Sequence, residues 1–461
     1  MHRGNRSAAV ASTVVVALCI SCGPPAVDDL GSMQPVLEQR QLPEEAWTSG
    51  PEGYQRGART DALLDSPVDV DDAVRLALLN HPRISAALQQ LRATGARAFQ
   101  QVLLQNPEVE IEVLFDDLPE IDAEATFDLA TVLHWSLRRD IADNRVETAR
   151  VETAESVVDL IYSVRTAYYD HVADLQRLDV SRRVLDAAEA SAQAAELLRQ
   201  AGNITELELL THQGFAAEVR QSVIRREADA AASRHDLHRA MGLPDDRDRW
   251  ETPTRLPRLP ETTVDADELV DRAVEQSLAI DRLQRRQATG ESLAKFHRRR
   301  GWMPEFSIGV STDYHFDDDR LLVGPVVGVA LPLFDRRQYA VDAHRADAME
   351  AMYRRRQIRQ QLTGRARTTA RRLQAAHEEA RHIEQRVLPL AERTVEEAMR
   401  QFNAMELGVF ELLEAHRSRM RAGESHTEAL RNFWLQRTRA DRLIAGGFEG
   451  EAPPTSEESD P

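Results

Sequence analysis

The segment from Asn106 to Phe115 reads NPEVEIEVLF, and it decides the type of fold. Apolar side chains at Val109, Ile111 and Val113 alternate with glutamates, which predicts a strand with one apolar and one acidic face. Pro107 stands directly before this strand, where a helical pattern has to end because proline cannot continue it.

Three further segments show the same alternation. They run from Phe127 to Leu137, from Phe306 to Phe316 and from Leu321 to Leu331. Pro325 lies inside the last segment and indicates an edge strand or a bulge. Strands of about ten residues match the length of tilted transmembrane β-strands. Because lipid cannot satisfy an open sheet edge, four strands that span a membrane would have to form part of a barrel built by several copies. The alternative is a soluble four-stranded sheet whose apolar face packs against helices.

Long helices surround the predicted strands. An opening helix covers about Val70 to Gln105, and a helix of about 59 residues, roughly 90 Å long, covers Ala142 to Gln200. Breaks at Ala201-Gly202-Asn203 and near Ala404-Met405 predict the turns of two helical hairpins, and Pro389 predicts a kink. A coiled-coil seam with 4-3 spacing is formed in the second half by Leu362, Ala366, Thr369, Leu373 and Ala376.

This order of elements occurs twice along the chain. Four short motifs recur about 196 to 203 residues later, for example Asp71-Asp72-Ala73-Val74 as Asp267-Glu268-Leu269-Val270. We therefore predict an internal two-fold sequence repeat. The expected organisation is a lipoprotein-type signal peptide at 1–22, an extended N-terminal tether at 23–67, a first structural repeat at 68–251, a Pro-rich linker at 252–263, a second structural repeat at 264–446 and a disordered acidic tail at 447–461.

The composition argues against several classes of function. The 461 residues carry 58 Lys+Arg against 76 Asp+Glu, a net charge of -18, which argues against a nucleic-acid partner. The sequence has no phosphate-binding glycine loop, nucleophile elbow or zinc-protease motif, so we expect neither an enzyme nor a cofactor. The histidine pairs His235/His238 and His377/His382 supply too few ligands for zinc, so no metal site is predicted.

The N-terminus has the pattern of an export signal. Arg3 and Arg6 precede an apolar run from Ala8 to Ile20 that is too short to span a membrane. The run ends in Ile20-Ser21-Cys22-Gly23, which resembles a bacterial lipoprotein signal and predicts Cys22 as the site of lipid attachment. A plain secretory signal is the alternative interpretation.

Over about residues 68 to 446 the chain resembles the TolC-like outer-membrane efflux protein family. The motifs that carry the resemblance are Asn106-Pro107, Leu331-Pro332-Leu333-Phe334-Asp335-Arg336, Ala201-Gly202-Asn203-Ile204 and Phe402-Asn403-Ala404-Met405. The segments Gln101-Val102-Leu103-Leu104-Gln105-Asn106-Pro107 and Phe334-Asp335-Arg336-Arg337-Gln338 are similar to the cobalt–zinc–cadmium resistance branch. The implied fold class is mainly α with a small β part. Four transmembrane strands per chain would complete a 12-stranded barrel in a homotrimer, continued by an α-barrel of coiled-coil hairpins.

The resemblance also implies a location and a function. The trimer would lie in the outer membrane, in contact with its lipid, and extend into the periplasm. It would be the passive exit duct of a tripartite efflux system, together with a periplasmic adaptor protein and an inner-membrane RND-type transporter. Its cargo would be metal ions or small toxic compounds. A non-spanning periplasmic coiled-coil lipoprotein scaffold and an outer-membrane duct for protein secretion remain as alternatives.

Three carboxylates are candidates for a gate. By alignment with the family's tip motif, Glu411 and Glu414 correspond to the carboxylates of the periplasmic aperture, and Glu208 is the equivalent of Glu411 in the first half. Rings of carboxylates select cations and can gate a pore. Crowding by symmetry mates would raise their pKa values, so protonation is expected to alter the closed state. The alternative is that they are ordinary solvated helix charges.

Two other charged patterns lie next to the strands. In a barrel, Glu108, Glu110 and Glu112 would line the pore, where they either bias conduction toward cations or only keep the lumen wet. The run Arg298-Arg299-Arg300 directly precedes the strand that starts near Pro304, a position that fits acidic lipid headgroups. A solvated face with ion pairs is the alternative for these arginines.

Overall fold

The protein is described by a computed structural model that covers residues 53–114, 120–303, 305–315, 320–404 and 406–448. The first half contains helices α1 (Gly53–Leu64), α2 (Val70–Asn80) and α3 (Pro82–Gln100), strands β1 (Glu108–Leu114) and β2 (Glu120–Asp128), and helices α4 (Ala130–Leu133), α5 (Trp135–Gln200) and α6 (Glu206–Ala240). The second half contains α7 (Ala266–Glu275), α8 (Leu278–Arg300), β3 (Glu305–His315), β4 (Arg320–Ala330), α9 (Gln338–His382), a π-helical turn (Ile383–Val387), α10 (Leu388–Asn403) and α11 (Val409–Ile444). The chain is mainly helical, with a small sheet.

The described residues form two compact units. One, the sheet unit, contains Leu88–Val151 and Arg282–Arg354. The other, the helical unit, contains residues 53–87, Glu152–Asp281 and residues from 355 onward. Among the described residues, none of the helices combines the length and the apolar composition that crossing a membrane requires.

The four strands form one antiparallel sheet in the order β1-β2-β3-β4. Val109 pairs with Ala125, which pairs in turn with Val310, and Val310 pairs with Pro325 of β4. The prediction that Pro325 lies in an edge strand is confirmed, since β4 is the last strand of the sheet. Proline is tolerated there because an edge strand has one side without ladder hydrogen bonds.

The predicted boundaries of the second strand are wrong. The strand lies at Glu120–Asp128, and the segment from Ala130 onward is helical instead of continuing the strand to Leu137. Asp128 causes the change, because its carboxylate accepts hydrogen bonds from the Ala130 amide at 2.7 Å and the Thr131 hydroxyl at 3.2 Å. Such side-chain acceptors satisfy the free amides at a helix start.

The opening helix is also shorter than predicted, because it breaks into α2 and α3. His81 lies between them in an extended conformation with φ -71° and ψ 126°. A residue before proline is disfavoured in the helical region, so Pro82 forces this break. Helix α3 then ends at Gln100, five residues before the predicted end at Gln105. The extended tether predicted for residues 23–67 is wrong for Gly53–Leu64, which is the helix α1; its spacing of Tyr54, Ala58, Leu63 and Leu64 permits a helix.

Similar caps begin the first helix of each predicted repeat. Asp69 accepts hydrogen bonds from the amides of Asp71 and Asp72 at the start of α2. Asp265 does the same for the amides of Asp267 and Glu268 at the start of α7. The N-cap carboxylate satisfies amides that have no partner inside the helix, and it interacts favourably with the helix dipole.

The coiled-coil seam of the second half is confirmed as a buried face. Leu362, Ala366, Leu373 and Ala376 of α9 are buried with Phe433 of α11 in one apolar core of the helical unit. Small residues at this seam let the helices approach closely. In α5, Val157, Ile161, Val164 and Tyr168 follow the same 4-3 spacing, and they are buried as well.

The predicted kink near Pro389 takes the form of a π-helical turn. The amide of Leu388 donates to the carbonyl of Ile383, five residues back, and helix α10 then begins with proline in its first turn. Proline has no amide hydrogen, so an ordinary helical ladder would lack a bond here, and the wider turn accommodates that loss.

Candidate functional site

One face of the sheet is apolar across all four strands. The register aligns Ile111, Ala123 and Thr312 in one row, and Phe127 with Ile308 and Val327 in another. These side chains are not covered by the rest of the chain: Ile111 is 66% exposed and Val327 is 67% exposed. A contiguous apolar surface of this kind marks a site of interaction with protein or membrane.

The opposite face of the sheet carries rows of carboxylates. Glu110 lies directly opposite Glu124. Glu112 lies opposite Asp122, which in turn lies opposite Asp313 of β3. The sequence reading identified the glutamates of β1 as a polar face, but it missed the acidic residues of β2 and β3 in the same rows. Only the strand register reveals that these charges are neighbours.

At the first hairpin turn, Glu208 has a local structural role. Its carboxylate accepts hydrogen bonds from the Thr205 amide at 2.6 Å and the Thr205 hydroxyl at 2.9 Å. The Glu208 amide donates back to the Thr205 hydroxyl, completing a capping box at the start of α6. These bonds lower the pKa of Glu208. Within the single chain this is the opposite of the raised pKa predicted for the aperture, because the bonds favour the charged form.

The turn itself is made by Gly202, whose φ of 79° lies in the left-handed region. Glycine adopts this conformation without a steric penalty. Asn203 then donates its amide to the carbonyl of Leu198, which closes the end of α5. The corresponding position in the second hairpin, Met405, lies outside the described residues.

Glu411 and Glu414 lie exposed in the first two turns of α11. The carboxylate of Glu411 lies against Gly408, at the start of the helix, where a Cβ would come within 2.7 Å of its Oε2. Glu414 forms an ion pair with Arg421, two turns further along α11. Both partners of that pair are well exposed, and pairs of this kind contribute little to stability.

Cross-helix ion pairs fix the register of α6 against α11. Arg417 donates to Glu218 at 2.9 Å, and Arg226 donates to Glu424 at 3.0 Å, so the two helices run parallel. In this register Glu411 lies about four residues, roughly 6 Å along the axis, further from the hairpin turn than Glu208. By the same register Glu414 lies roughly 10 Å further along than Glu208. The three candidate carboxylates are therefore staggered in height.

A small apolar cluster holds the two helix starts together. Phe215 and Val219 of α6 pack with Val409 and Leu413 of α11 and with Ala188 of α5. Because Leu413 is buried between them, the neighbouring Glu414 and the nearby Glu411 are directed away from this core, which leaves both exposed. The helical period separates the buried and the charged positions.

The two histidine pairs that are too small to bind zinc each have a member in a structural contact. His238 accepts a hydrogen bond from the indole of Trp250 at 3.1 Å, and His377 lies 2.7 Å from the carbonyl oxygen of Pro260 through its Nε2. Among the described residues no group of three histidine, cysteine or acidic side chains is placed to hold a metal ion. Cys22, the predicted site of lipid attachment, lies outside the described residues.

A cleft in the helical unit was not found from the sequence. It has a volume of about 530 Å³ and lies among α5, the linker, the π-helical turn and α11. Its charged lining is mixed, with Arg183, Arg255 and Arg419 on one hand and Glu384 and Glu392 on the other. Only the packing of distant segments creates this cleft, so no local sequence pattern indicates it.

Comparisons with known proteins agree with this architecture. The family description "Outer membrane efflux protein" matches residues 120–243. The cobalt-zinc-cadmium resistance protein CzcC of Cupriavidus metallidurans is 24% identical over 393 residues, which cover 82% of this chain and 90% of CzcC.

Solved structures share the fold. The outer membrane protein VceC of Vibrio cholerae superimposes with a TM-score of 0.69 at 14% identity, covering 82% of this chain and 97% of VceC. A membrane protein from Pseudomonas aeruginosa gives a TM-score of 0.70 at 16% identity, covering 82% of this chain and 90% of that one. The chain is therefore similar to outer-membrane efflux proteins in the sequence of residues 120–243, and it shares the fold of these solved membrane proteins.

Proposed function

We propose that three copies of this chain form the outer-membrane exit duct of a tripartite efflux system. The single observation that carries this proposal is the four-stranded sheet with an uncovered apolar face and two open edges, at β1 and β4. Lipid can cover the apolar face, but it cannot satisfy the edges. Closure by two further copies would give 12 strands and remove every edge.

The opposite, acidic face would then line the lumen. In each chain it contributes Glu110 opposite Glu124, and Glu112 in a row with Asp122 and Asp313. Rings of carboxylates around a pore attract cations. This supports metal cations as cargo, in line with the similarity to CzcC, a cobalt-zinc-cadmium resistance protein. Small toxic compounds are the second choice of cargo.

The remaining parts of the chain take their roles from this arrangement. The two predicted repeats, 68–251 and 264–446, would each supply one strand pair and one helical hairpin, joined by the linker 252–263. Cys22 would carry a lipid anchor after removal of the residues that precede it, 1–21. The hairpin turns would face a periplasmic adaptor, which connects the duct to an inner-membrane RND-type transporter. The duct itself would consume no energy.

We propose Glu411 and Glu414 as the carboxylates of the periplasmic gate. Both are exposed, and they lie three residues apart near the start of α11. Glu208 differs from them because its carboxylate caps a helix through Thr205, whereas Glu414 pairs only with the exposed side chain of Arg421. We therefore assign Glu208 mainly to the stability of the first turn, and the gate mainly to the second hairpin. In a trimer the gate would contain six carboxylates in two layers.

Single-channel conductance in a planar bilayer tests the proposal. The purified wild-type trimer is expected to give small, cation-selective steps, and Glu411→Ala/Glu414→Ala is expected to enlarge them because it removes the charge and bulk at the constriction. The matched control is Glu378→Ala/Glu379→Ala, which removes two exposed carboxylates from α9. The control should conduct like the wild type.

The possible results separate the parts of the proposal. Steps that are equal in all three proteins would support the duct and refute the two gate residues. An equal enlargement in the control would show that general loss of negative charge is the cause. A folded trimer that never conducts would contradict the duct and favour the periplasmic scaffold.

A further inference from the structure

Large aromatic side chains stand exposed at one end of the sheet's four strands. This end contains the start of β1, the end of β2, the start of β3 and the end of β4, as the pairings of Asp128 with Ser307 and Glu305 with Ala330 show. Trp302, just before β3, is 77% exposed. Phe334 and Tyr339, which follow β4, are 94% and 82% exposed.

Arginines lie at the same end of the strands, and their guanidinium groups contact the tryptophan rings. The guanidinium of Arg336 lies 5.9 Å from the ring centre of Trp302, and that of Arg139 lies 5.5 Å from the ring centre of Trp135. Gly301 permits the first contact, because a Cβ at this position would lie 2.0 Å from the carbonyl oxygen of Arg336. The end of α8 and the segment after β4 therefore approach each other closely.

Several positive charges are crowded together here. Burial lowers the pKa of Arg138, and the nearby Arg300 lowers it further, while Asp128 acts in the opposite direction. Burial likewise lowers the pKa of His134, with Arg300, Arg138 and Arg299 as further causes. Like charges held close together gain stability when an anion comes between them.

We propose that this end of the sheet binds the phosphate groups of anionic phospholipids in the adjoining membrane leaflet. We call it the headgroup belt, defined by Trp135, Arg138, Arg299, Trp302 and Arg336. The inference rests on the proposed function, because only a membrane-spanning sheet would bring the belt to the height of the headgroups. Tryptophan and tyrosine are favoured at that height, and arginine pairs with phosphate through two parallel hydrogen bonds.

The combination of residue types favours lipid over a soluble anion. Exposed apolar residues lie close in sequence to two of these arginines: Leu133, five residues before Arg138, is 55% exposed, and Leu333, three residues before Arg336, is 66% exposed. A free phosphate ion would leave this apolar surface in water, whereas a phospholipid can cover it with its glycerol and upper acyl segments. Negative lipids also attract each nearby arginine electrostatically.

Native mass spectrometry of the full-length trimer in detergent tests the inference. The protein is mixed with equal amounts of phosphatidylglycerol and phosphatidylcholine, and the lipids that stay bound are counted. We expect the wild type to retain phosphatidylglycerol preferentially. Arg138→Gln/Arg299→Gln/Arg336→Gln should lower that retention roughly tenfold or more.

Two further variants keep the test interpretable. Arg138→Lys/Arg299→Lys/Arg336→Lys keeps the charge and should keep most of the preference for phosphatidylglycerol. That result would also show that this end of the sheet still folds in a substituted protein. Arg359→Gln/Arg367→Gln/Arg371→Gln removes three exposed arginines from α9, beyond the sheet unit, and should behave like the wild type. An equal loss in this control would overturn the assignment to the headgroup belt.

Other results also contradict the inference. Equal retention of both lipids by the wild type would refute it. If millimolar inorganic phosphate displaced the phosphatidylglycerol, the site would be one for soluble anions and the lipid assignment would be wrong. Conductance in pure phosphatidylcholine bilayers separates this result from the proposed function. Normal channels without a lipid preference would refute only the belt, whereas a wild type that never inserts would refute the duct.

Discussion

At the residue scale, glutamates that look equivalent in the sequence have different surroundings. Glu208 and Glu411 occupy matching positions of the two predicted repeats, but Thr205 precedes Glu208 by three residues and caps its helix. The second hairpin has Gly408 at that position, without a side chain that could form the reciprocal bond. The pattern Thr-x-x-Glu was visible in the sequence and could have predicted the difference.

A buried histidine gives the helical unit a testable dependence on pH. His171 is buried beside Ser233 and Trp250, and burial, with Arg234 nearby, lowers its pKa from 6.5 to about 4. The unfolded chain therefore binds a proton in a range where the folded chain does not. The stability is fully present above pH 6.5 and falls as the pH drops toward 4, by up to about 3 kcal/mol.

Hydrogen exchange at pH 7 and pH 4.5, corrected for the intrinsic rates, measures this effect in α5 and α6. In His171→Gln, we expect protection near residue 171 to change less with pH than in the wild type. His235→Gln is the control, since His235 is exposed on α6. If His171→Gln kept the full pH dependence of the wild type, another group would have to be its cause.

At the scale of elements, the π-helical turn depends on a single residue. We expect Pro389→Ala to restore an ordinary α-helix through Ile383–Val387, because alanine supplies the amide that proline lacks. Amides in this segment should then exchange more slowly, several-fold or more. Hydrogen exchange measures the change, and an exposed site in the same helix, Thr394→Ala, serves as the control. Unchanged exchange would mean that packing, and not proline, widens the turn.

The sequence predicted the long helices well and the boundaries between elements poorly. Helices such as α5 and α9 have many turns of consistent apolar spacing, so the period is unmistakable. The segment from Phe127 to Leu137 fits both periods, and only the bonds from Asp128 decide for a helix after the strand. The acidic rows depend on pairing between residues up to about 190 positions apart, which a pattern along one strand cannot show.

At the scale of the whole molecule, the two sheet faces should respond differently to the same substitution. Ile111→Arg places a charge in the middle of the apolar face and should reduce membrane insertion, since an arginine facing lipid at mid-depth costs about 2–4 kcal/mol. Glu110→Arg places the same charge on the acidic face. It should insert normally and shift the selectivity of the channel toward anions.

Insertion into vesicles and reversal potentials in a salt gradient measure these two effects. Reduced insertion of both variants would point to a general folding defect. Normal insertion of Ile111→Arg would contradict a lipid-facing apolar surface, and with it the duct. A reversal potential unchanged by Glu110→Arg would place the acidic rows away from the path of the ions.

The acidic rows also bear on when the sheet becomes stable. Glu110 opposite Glu124, and Asp122 between Glu112 and Asp313, repel one another, and each such pair weakens strand pairing by roughly 0.2–1 kcal/mol. In a newly exported chain the strands would therefore hold together only loosely, and a loose sheet is a poor template for unwanted edge-to-edge pairing. We expect the repulsion to slow the formation of a stable sheet. This would protect the chain from aggregation until neighbouring copies and cations are present.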